Sequence, residues 1–403
     1  MRLSLFTPTN TPKYLSEVYL SVQAQNFPDI EWVIVPNGDV RVEDIPAEIR
    51  ANPRVRIVPY APRDSSNGIG ALKRFCCEQC TGDVFIELDH DDLLVPGVLP
   101  LIADKVSEGA DFVYSDTGYF RDETLEQEPP YSPAHGWESY PFRIYGREFV
   151  AMRNFPITPR SLCEIYYCPD HVRAWTRKSY DAMQGHDATL HVCDDHDLMC
   201  RTYLSGFRFA HTGTVGYLYR KHADQSYLRF NDDIQVGTLK LRERYLHRLI
   251  DRWINTESLP LLDLAAPGTL ALNKSTLLKL PAEDNSVGCV RAYHMLHRLP
   301  HSQITALMEE IYRVLVPGGW LCAYVGSTDG HLGFAPDVCS WWNTRTFECY
   351  TNRELAQSIG GHTARFQMVQ CKTDRPTPMP AVAYAQADMC ALKGQRQPGL
   401  VWI

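Results

Sequence analysis

The 403-residue chain predicts an α/β protein of two domains, each built on a mostly parallel sheet, the second smaller and truncated. Three observations predict this. The length exceeds what one ordinary hydrophobic core serves. Strands and helices alternate through the first ninety residues, the pattern of a parallel sheet covered on both faces. The alternation restarts at Leu259, after a long helical stretch. The expected boundaries are 1–230 for the first domain, 231–257 for a linking helix and 258–403 for the second domain.

The elements follow in order. "LSLFTPT" reads as a strand, "PKYLSEVYLSVQAQ" as a helix and "IEWVIVPNGD" as a strand ending in a turn. "RVRIVPY" (strand), "GIGALKRFCCEQC" (helix) and "DVFIEL" (strand) complete the first ninety residues. Residues 120–180 are less regular and rich in Pro, Arg and aromatics. "DDHDLMCRTYLSGF" is an acidic helix start with a glycine stop. "HTGTVGYLYRKH" is a strand with a polar end. Apolar residues at helical spacing from Asn231 to Asn255, with aspartates at the N-terminus, predict a helix. Beyond it lie "LPLLDL" and "VGCVRAYHML" (strands), a helix closed by Pro-Gly-Gly, and the strand "WLCAYVG".

A composition of 44% hydrophobic and 22% charged residues is that of a soluble globular protein. A net charge of -8 argues against wholesale coating of nucleic acid or an anionic membrane. No run of eighteen apolar residues exists, so no membrane span is expected. The first strand starts at residue 2, which leaves no room for a signal peptide. With 13 scattered cysteines, a reducing cytoplasm is the expected location. "CCEQC" at 76–80 holds one Cys-x-x-Cys without a second pair, so helix packing is favoured over zinc.

In such sheets ligands bind at the carboxyl ends of the strands. Three polar turns fall there: "TPTN" (7–10), "PNGD" (36–39) and "DHDD" (89–92). Glu87, Asp89, Asp91 and Asp92 crowd four carboxylates into six residues after an apolar run. Like charges repel, so the crowding favours a bound hard cation, although a solvated capping turn also tolerates it. A nucleoside diphosphate across the three turns would need such a cation to neutralise its leaving group.

The stretches "LFTPTN", "NFPDIEWVIVPNGD" and "GDVFIELDHDDLLVPGVL", with "CDDHDLMCRTYLSGFRFAHTGTVGYLYRKH", resemble family 2 glycosyltransferases, which have the GT-A fold. The resemblance covers residues 2–228 and both halves of the family pattern. It implies metal-dependent, inverting transfer of a sugar from a nucleoside diphosphate, UDP by default, to an acceptor hydroxyl. By position it implies that Thr7, Pro8, Thr9, Asn37, Asp39, Asn67, Lys73 and Asp89 bind the nucleotide sugar. Asp89, Asp91 and His222 would hold Mn2+ or Mg2+. Asp195 matches the general base, with Trp175, Asp194 and Arg220 on the acceptor side. An isolated aspartate, with a pKa of about 3.9, is a weak base, and Asp194 and Asp197 are expected to push Asp195 upward by repulsion. The plain alternative for "CDDHD" is an N-cap cluster that satisfies helix amides. Two departures, Lys73-Arg74 for an Arg-Asn pair and Pro36 for an aspartate, leave the nucleotide open.

For the acceptor, residues 141–180 carry seven basic residues (Arg143, Arg147, Arg153, Arg160, Arg173, Arg177, Lys178). Phe142, Tyr145, Phe149, Phe155, Tyr166, Tyr167, Trp175 and Tyr180 are interleaved. Such a mixture clamps phosphates and stacks bases, which suits a hydroxymethylated base in viral DNA flipped out of the duplex. It equally suits a surface glycan, a lipid-linked sugar or a protein, or a small second core.

"LPAEDNSVGCVRAYHMLHRLP", "ALMEEIYRVLVPGGWLCAYV" and "WWNTRTFECYTNRELAQSIG" resemble class I S-adenosylmethionine-dependent methyltransferases over residues 259–392. The glycine-rich cofactor turn of that family is missing upstream of "LLDLAAPG". Gly288 replaces an expected acid, as does Ser275 or Lys274; Asp263 remains as a ribose partner. S-adenosylmethionine is therefore not expected to bind. Stability, docking of the acceptor or homo-oligomer formation are the roles open to the module. A bifunctional enzyme and a non-enzymatic sugar or nucleic-acid binding module are the competing readings.

Overall fold

The computed structural model describes residues 1–61, 68–121, 124–125, 132–133, 136–163, 168–223, 225–266, 279–359 and 362–394. The chain divides into two compact units, Met1–Pro133 with Trp137–Leu249, and Ala134–Gly136 with Ile250–Ile403.

In the first unit β1 (Leu3–Thr9), α1 (Leu15–Gln23), β2 (Ile30–Pro36), α2 (Ala47–Arg50), β3 (Val55–Ile57), α3 (Ile69–Gln79) and β4 (Val84–Glu87) alternate as predicted. β5 (Leu93–Leu94), α4 (Val98–Ser107), β6 (Phe112–Arg121) and β7 (Thr124–Leu125) follow. Next come β8 (Glu138–Ile144), β9 (Arg147–Arg153), α5 (Pro159–Cys163), β10 (Arg173–Thr176) and α6 (Arg177–Ala182). α7 (Asp194–Leu204), β11 (Phe209–Arg220), α8 (Ser226–Arg229) and α9 (Asn231–Thr256) complete the unit, with α9 crossing the division. The sheet runs β3-β2-β1-β4-β10-β6-β11-β5. β1, β2, β3 and β4 are parallel, whereas β10 lies antiparallel between β4 and β6. That inserted strand sets Arg173 directly opposite Glu87.

The irregular stretch of the sequence contains a β8–β9 hairpin that pairs with β6 through β9. It packs Phe149 and Ala151 with Phe120, Val215 and Leu218 into a small core of its own. The cysteines of "CCEQC" are buried on or just after α3, and the Cys80 thiol donates to the Cys76 carbonyl, in keeping with helix packing. Among the described residues no helix is long and apolar enough to cross a membrane.

The strands are apolar on both faces because helices cover both: Leu3, Leu5, Trp32, Ile34, Val84 and Ile86 pack with Leu15, Val18, Leu99 and Ile102 on one face, while Phe6, Val33, Val35 and Phe85 are buried on the other, where α3 meets β1 and β2. Two polar residues inside this core are fully engaged. Thr7 donates to the Leu88 carbonyl (2.6 Å) and accepts from the Trp32 indole (2.8 Å). Glu31 accepts from Ser4, from the Thr81 backbone and hydroxyl, and from the Gly82 amide.

The second unit has β12 (Leu261–Asp263), β13 (Val287–Tyr293), α10 (His301–Val314), β14 (Leu315–Gly326), α11 (Thr344–Glu348), α12 (Arg353–Ala356), β15 (Phe366–Asp374) and β16 (Tyr384–Ala391). Its sheet runs β12-β13-β14-β16-β15, three parallel strands then an antiparallel pair. The strand β14 begins at Leu315 and takes in Pro317-Gly318-Gly319, which the sequence had suggested as a helix stop. A Cβ at Gly288 would lie 2.7 Å from Ile254 and 2.8 Å from Leu259, so packing excludes a larger residue there. Lys274 and Ser275 lie outside the described residues.

Burial opposes ionisation of Glu31, but the Ser4 and Thr81 hydrogen bonds and the Arg2 charge outweigh it and lower its pKa. Its folded value lies below the unfolded one, so its stabilisation is present above about pH 4.5 and fades as pH falls below that. Glu31→Gln is expected to lose about 1–3 kcal/mol at neutral pH. Urea midpoints measured against pH should fall less steeply for the variant than for the wild type on the acid side.

Candidate active site

A cavity of about 340 Å³ opens at the carboxyl ends of β1, β2 and β4, lined by Pro8, Asn10, Asn37, Lys73, Asp89, Asp91, Asp194 and Asp195 among others. Less polar residues also line it: Val192, Met199, Tyr227, Phe230 and Ile234. The sequence singled out none of these five.

A chain of alternating charges forms the floor. Lys73 of α3 contacts Glu87 and lies 3.9 Å from Asp194. Arg173 of β10 lies 3.5 Å from Glu87 and 2.5 Å from Asp195. Glu87 thus sits between two cations, each of which reaches one of the tandem aspartates that open α7. Glu87, Lys73, Arg173 and Asp194 are all buried. For Glu87, burial raises the pKa, but Lys73 and Arg173 prevail and hold it down at about 2.

The acidic turn stands at the edge of this floor. The Asp89 amide donates to the Tyr217 hydroxyl (3.1 Å), and Asp92 accepts from the Arg220 amide (2.7 Å), so both ends of the turn are tied to β11. His222 donates from Nε2 to Asp91 Oδ2 at 2.8 Å. His171, stacked on Tyr217 with centroids 4.6 Å apart, approaches Asp89 at 3.7 Å. Burial, then the neighbouring Glu87 charge, raises the Asp89 pKa to about 7. Asp89, Asp91 and His222 offer the carboxylate and imidazole donors that Mn2+ or Mg2+ takes, although in this structure their ligand atoms do not all lie within one coordination shell.

Asp195 lies at the N-terminus of α7, beside Cys193, whose φ of 60° turns the chain into the helix. Its Oδ1 accepts from the His196 amide (2.7 Å) and its Oδ2 from Arg173 (2.5 Å). Burial opposes its charge, yet Arg173 and Lys73 bring its pKa well below the ordinary carboxylate value. The expected upward push is therefore reversed. Asp197 turns away to Arg201 and Tyr245, while Asp194 carries the raised value, about 7, from burial and the Asp195 and Glu87 charges. α3 meets the loop before α7 backbone to backbone: Gly70 donates to the Leu190 carbonyl (3.1 Å), and a Cβ on Gly70 would lie 2.1 Å from the Asp187 oxygen.

The structure gathers Pro8, Asn37, Lys73, Asp89, Asp91, Asp194 and Asp195 around the cavity, with His222 bonded to Asp91. It does not gather the rest. Thr7 and Thr9 are buried, with Thr9 donating to the Thr11 carbonyl at 2.7 Å. Asp39 is exposed outside the lining. Trp175 is fully buried against Phe112 and His186, so it presents no face to an acceptor. Arg220 is buried between Tyr14 and Phe120 and bonds the Asp91 carbonyl and Glu17, which makes it a brace for the acidic turn. Asn67, Tyr166 and Tyr167 lie outside the described residues. Sequence reasoning listed Glu87 and Arg173 only as members of an acidic and a basic group. The cross-strand register that joins them depends on the antiparallel insertion of β10, which "HVRAWT" does not announce.

Residues 5–182 match the family model for glycosyl transferase family 2, and residues 239–323 match that of a methyltransferase domain. No curated protein matches the chain. Among solved structures, S. aureus TarS 1-349 in complex with UDP-GlcNAc is 15% identical, with a TM-score of 0.45, covering 63% of this chain and 73% of that one. The mannosyltransferase PcManGT from Pyrobaculum calidifontis, in complex with GDP-Man and Mn2+, is 15% identical, with a TM-score of 0.39, covering 63% and 64%. A longer S. aureus TarS structure matches at 17% identity and a TM-score of 0.41 over 55% of this chain, and only 37% of its own length is spanned.

Removing one partner from a buried ion network leaves the others uncompensated. Glu87→Gln is expected to lower the unfolding free energy by about 3–5 kcal/mol at neutral pH, read from urea denaturation.

Proposed function

Since residues 5–182 form a glycosyl transferase family 2 domain, we propose that the first unit transfers a sugar from a nucleoside diphosphate, UDP by default, to an acceptor hydroxyl with inversion. The observation that carries this is one cavity lined by Asp89 and Asp91, with His222 bonded to Asp91, and by a carboxylate, Asp195, on α7. Asp89, Asp91 and His222 would hold a divalent cation, which when bound neutralises the diphosphate and stabilises it as a leaving group. Pro8, Asn10 and Asn37, at the ends of β1 and β2, bind and orient the nucleoside. Lys73 is engaged by Glu87 and Asp194, so it supports the floor and does not clamp phosphate.

In the transfer the acceptor oxygen bonds to the anomeric carbon as the bond from that carbon to the phosphate oxygen breaks. The electron pair leaves with the diphosphate. The acceptor proton passes to Asp195, a carboxylate on the face opposite the leaving group.

We place the acceptor among glycan, lipid-linked sugar and protein hydroxyls in preference to bases of viral DNA. Of the basic residues that suggested a polyanion, Arg160 and Arg173 are buried and Arg177 binds the Gly82 and Cys80 carbonyls, whereas Lys178 and Arg143 are exposed beside Asp111 and Glu148. Phe149, Phe155, Trp175 and Tyr180 are buried and unavailable for stacking on bases.

The second unit, which carries most of the methyltransferase-domain match, we read as non-catalytic. Asp263, the one acid left to meet a ribose, accepts from the Ala265 amide within its own turn (3.0 Å). Gly288 stands where Ile254 and Leu259 leave no room for an acidic side chain.

Two measurements test these readings. Slow hydrolysis of at least one nucleotide sugar with Mn2+ or Mg2+ is expected, abolished by EDTA. Asp91→Ala and Asp195→Asn should each reduce it by about 10²–10⁴-fold. No hydrolysis across all donors and both metals would favour the non-enzymatic binding module. Calorimetry with S-adenosylmethionine should show no binding heat, and tight binding would restore the bifunctional reading.

A further inference from the structure

We propose that Arg173 is a positioning residue: its buried guanidinium, shared between Glu87 and Asp195, locks the Asp195 carboxylate in one orientation at the cavity. The inference rests on the reading of Asp195 as the proton acceptor, and concerns what makes it one.

The geometry is specific. Arg173 is 1% exposed, and the antiparallel register of β10 places it opposite Glu87. Its Nε donates to the Pro169 carbonyl (3.3 Å), which fixes the plane of the fork. Its Nη1 then reaches Asp195 Oδ2 at 2.5 Å and Glu87 Oε2 at 3.5 Å. The other oxygen of Asp195 is held by the His196 amide, and the His196 ring is in turn bonded to the Leu162 carbonyl. Each carboxylate oxygen has two lone pairs. One on each is used by the protein, and one on each is left for a ligand. A carboxylate fixed at both oxygens cannot swing away, which is the preorganisation a proton acceptor needs.

The surroundings of Asp195 agree. Lys73 from α3, Arg173 from β10, Glu87 from β4, Asp194 and His196 from α7, and Cys193 before it face the group. His171 and His186 are nearby, both with pKa values brought down to about 3, His171 by burial and then Arg173, His186 by burial and then Lys73. The cations prevail, and Asp195 stays ionised well into the acid range. A base so held takes the acceptor proton only once the attacking oxygen has begun to bond to the sugar and has itself become acidic.

The test follows the carboxylate directly. In protein labelled with 13Cγ-aspartate, the Asp195 signal is assigned by its loss in Asp195→Asn and followed from about pH 8 to 4. It should stay flat in the wild type. In Arg173→Gln its midpoint should rise into that window, because burial and the neighbouring acids then act without the guanidinium. Arg173→Lys, whose ammonium replaces the charge but not the planar fork, should give a midpoint between those of the wild type and the glutamine variant, at the acid edge of the window. A flat Asp195 signal in a folded Arg173→Gln protein overturns the proposal. Should Arg173→Gln fail to fold, Arg173→Lys decides: an intermediate midpoint supports the role, and none within the window refutes it. A parallel readout is the pH profile of donor hydrolysis, whose acid limb should move up in Arg173→Gln. Absence of hydrolysis in the wild type would refute the glycosyl-transfer reading while leaving the carboxylate titration to decide the positioning.

Discussion

The first unit depends on one buried carboxylate, Glu87, placed between Lys73 and Arg173. Taking several charges out of water is unfavourable unless each finds a partner. Here each cation serves two anions, so a single acid at the end of β4 organises three separated stretches of chain: α3, β10 and the start of α7. The acidic turn begins two residues after Glu87 and inherits its anchorage. The network consequently sets both where a cation would sit and where the acceptor proton would go. It also explains why neighbouring aspartates differ: Asp195 is drawn down by Arg173, whereas Asp194, farther from any cation, rises to about 7 through burial and then its acidic neighbours.

Much of this was legible in the residues. The parallel core reads from the sequence because "LSLF", "WVIV" and "VFI" are apolar without interruption, as strands buried on both faces must be. The three polar turns and the acidic helix start are local features, and local chemistry announces them. What stayed hidden depends on register. Nothing in "HVRAWT" says that the strand runs antiparallel between β4 and β6, and that placement alone turns Arg173 from a surface candidate into the partner of Glu87. Trp175 was misplaced for the same reason: composition reports an aromatic but not whether its face is covered. The β8–β9 hairpin escaped notice because its arginines and the exposed Tyr145 dilute the two-residue alternation. The direction of the Asp195 shift was misjudged by counting acids along the chain, when charges across space decide it.

The second unit carries a methyltransferase-domain match on an intact sheet, and the reading proposed for it separates that fold from cofactor binding. The core of the sheet is intact, with Val290, Leu321, Ala323 and Met389 fully buried. Its fold needs only those apolar contacts, whereas cofactor binding needs a glycine turn and free acids. Packing and recognition place independent demands on a sequence, and on the proposed reading only the first is met here.

The seam between Gly70 and Asp187–Leu190 has a further consequence. At Gly70 main chain meets main chain, so at that point no side chain intervenes between the helix bearing Lys73 and the segment leading to Asp194. Substitutions among the surrounding apolar residues can therefore soften or stiffen the domain without altering the spacing of the charges. Mutational drift in the interior and fidelity of the charged centre are uncoupled at this point, so distant homologues could share the constellation while having little of their interiors in common.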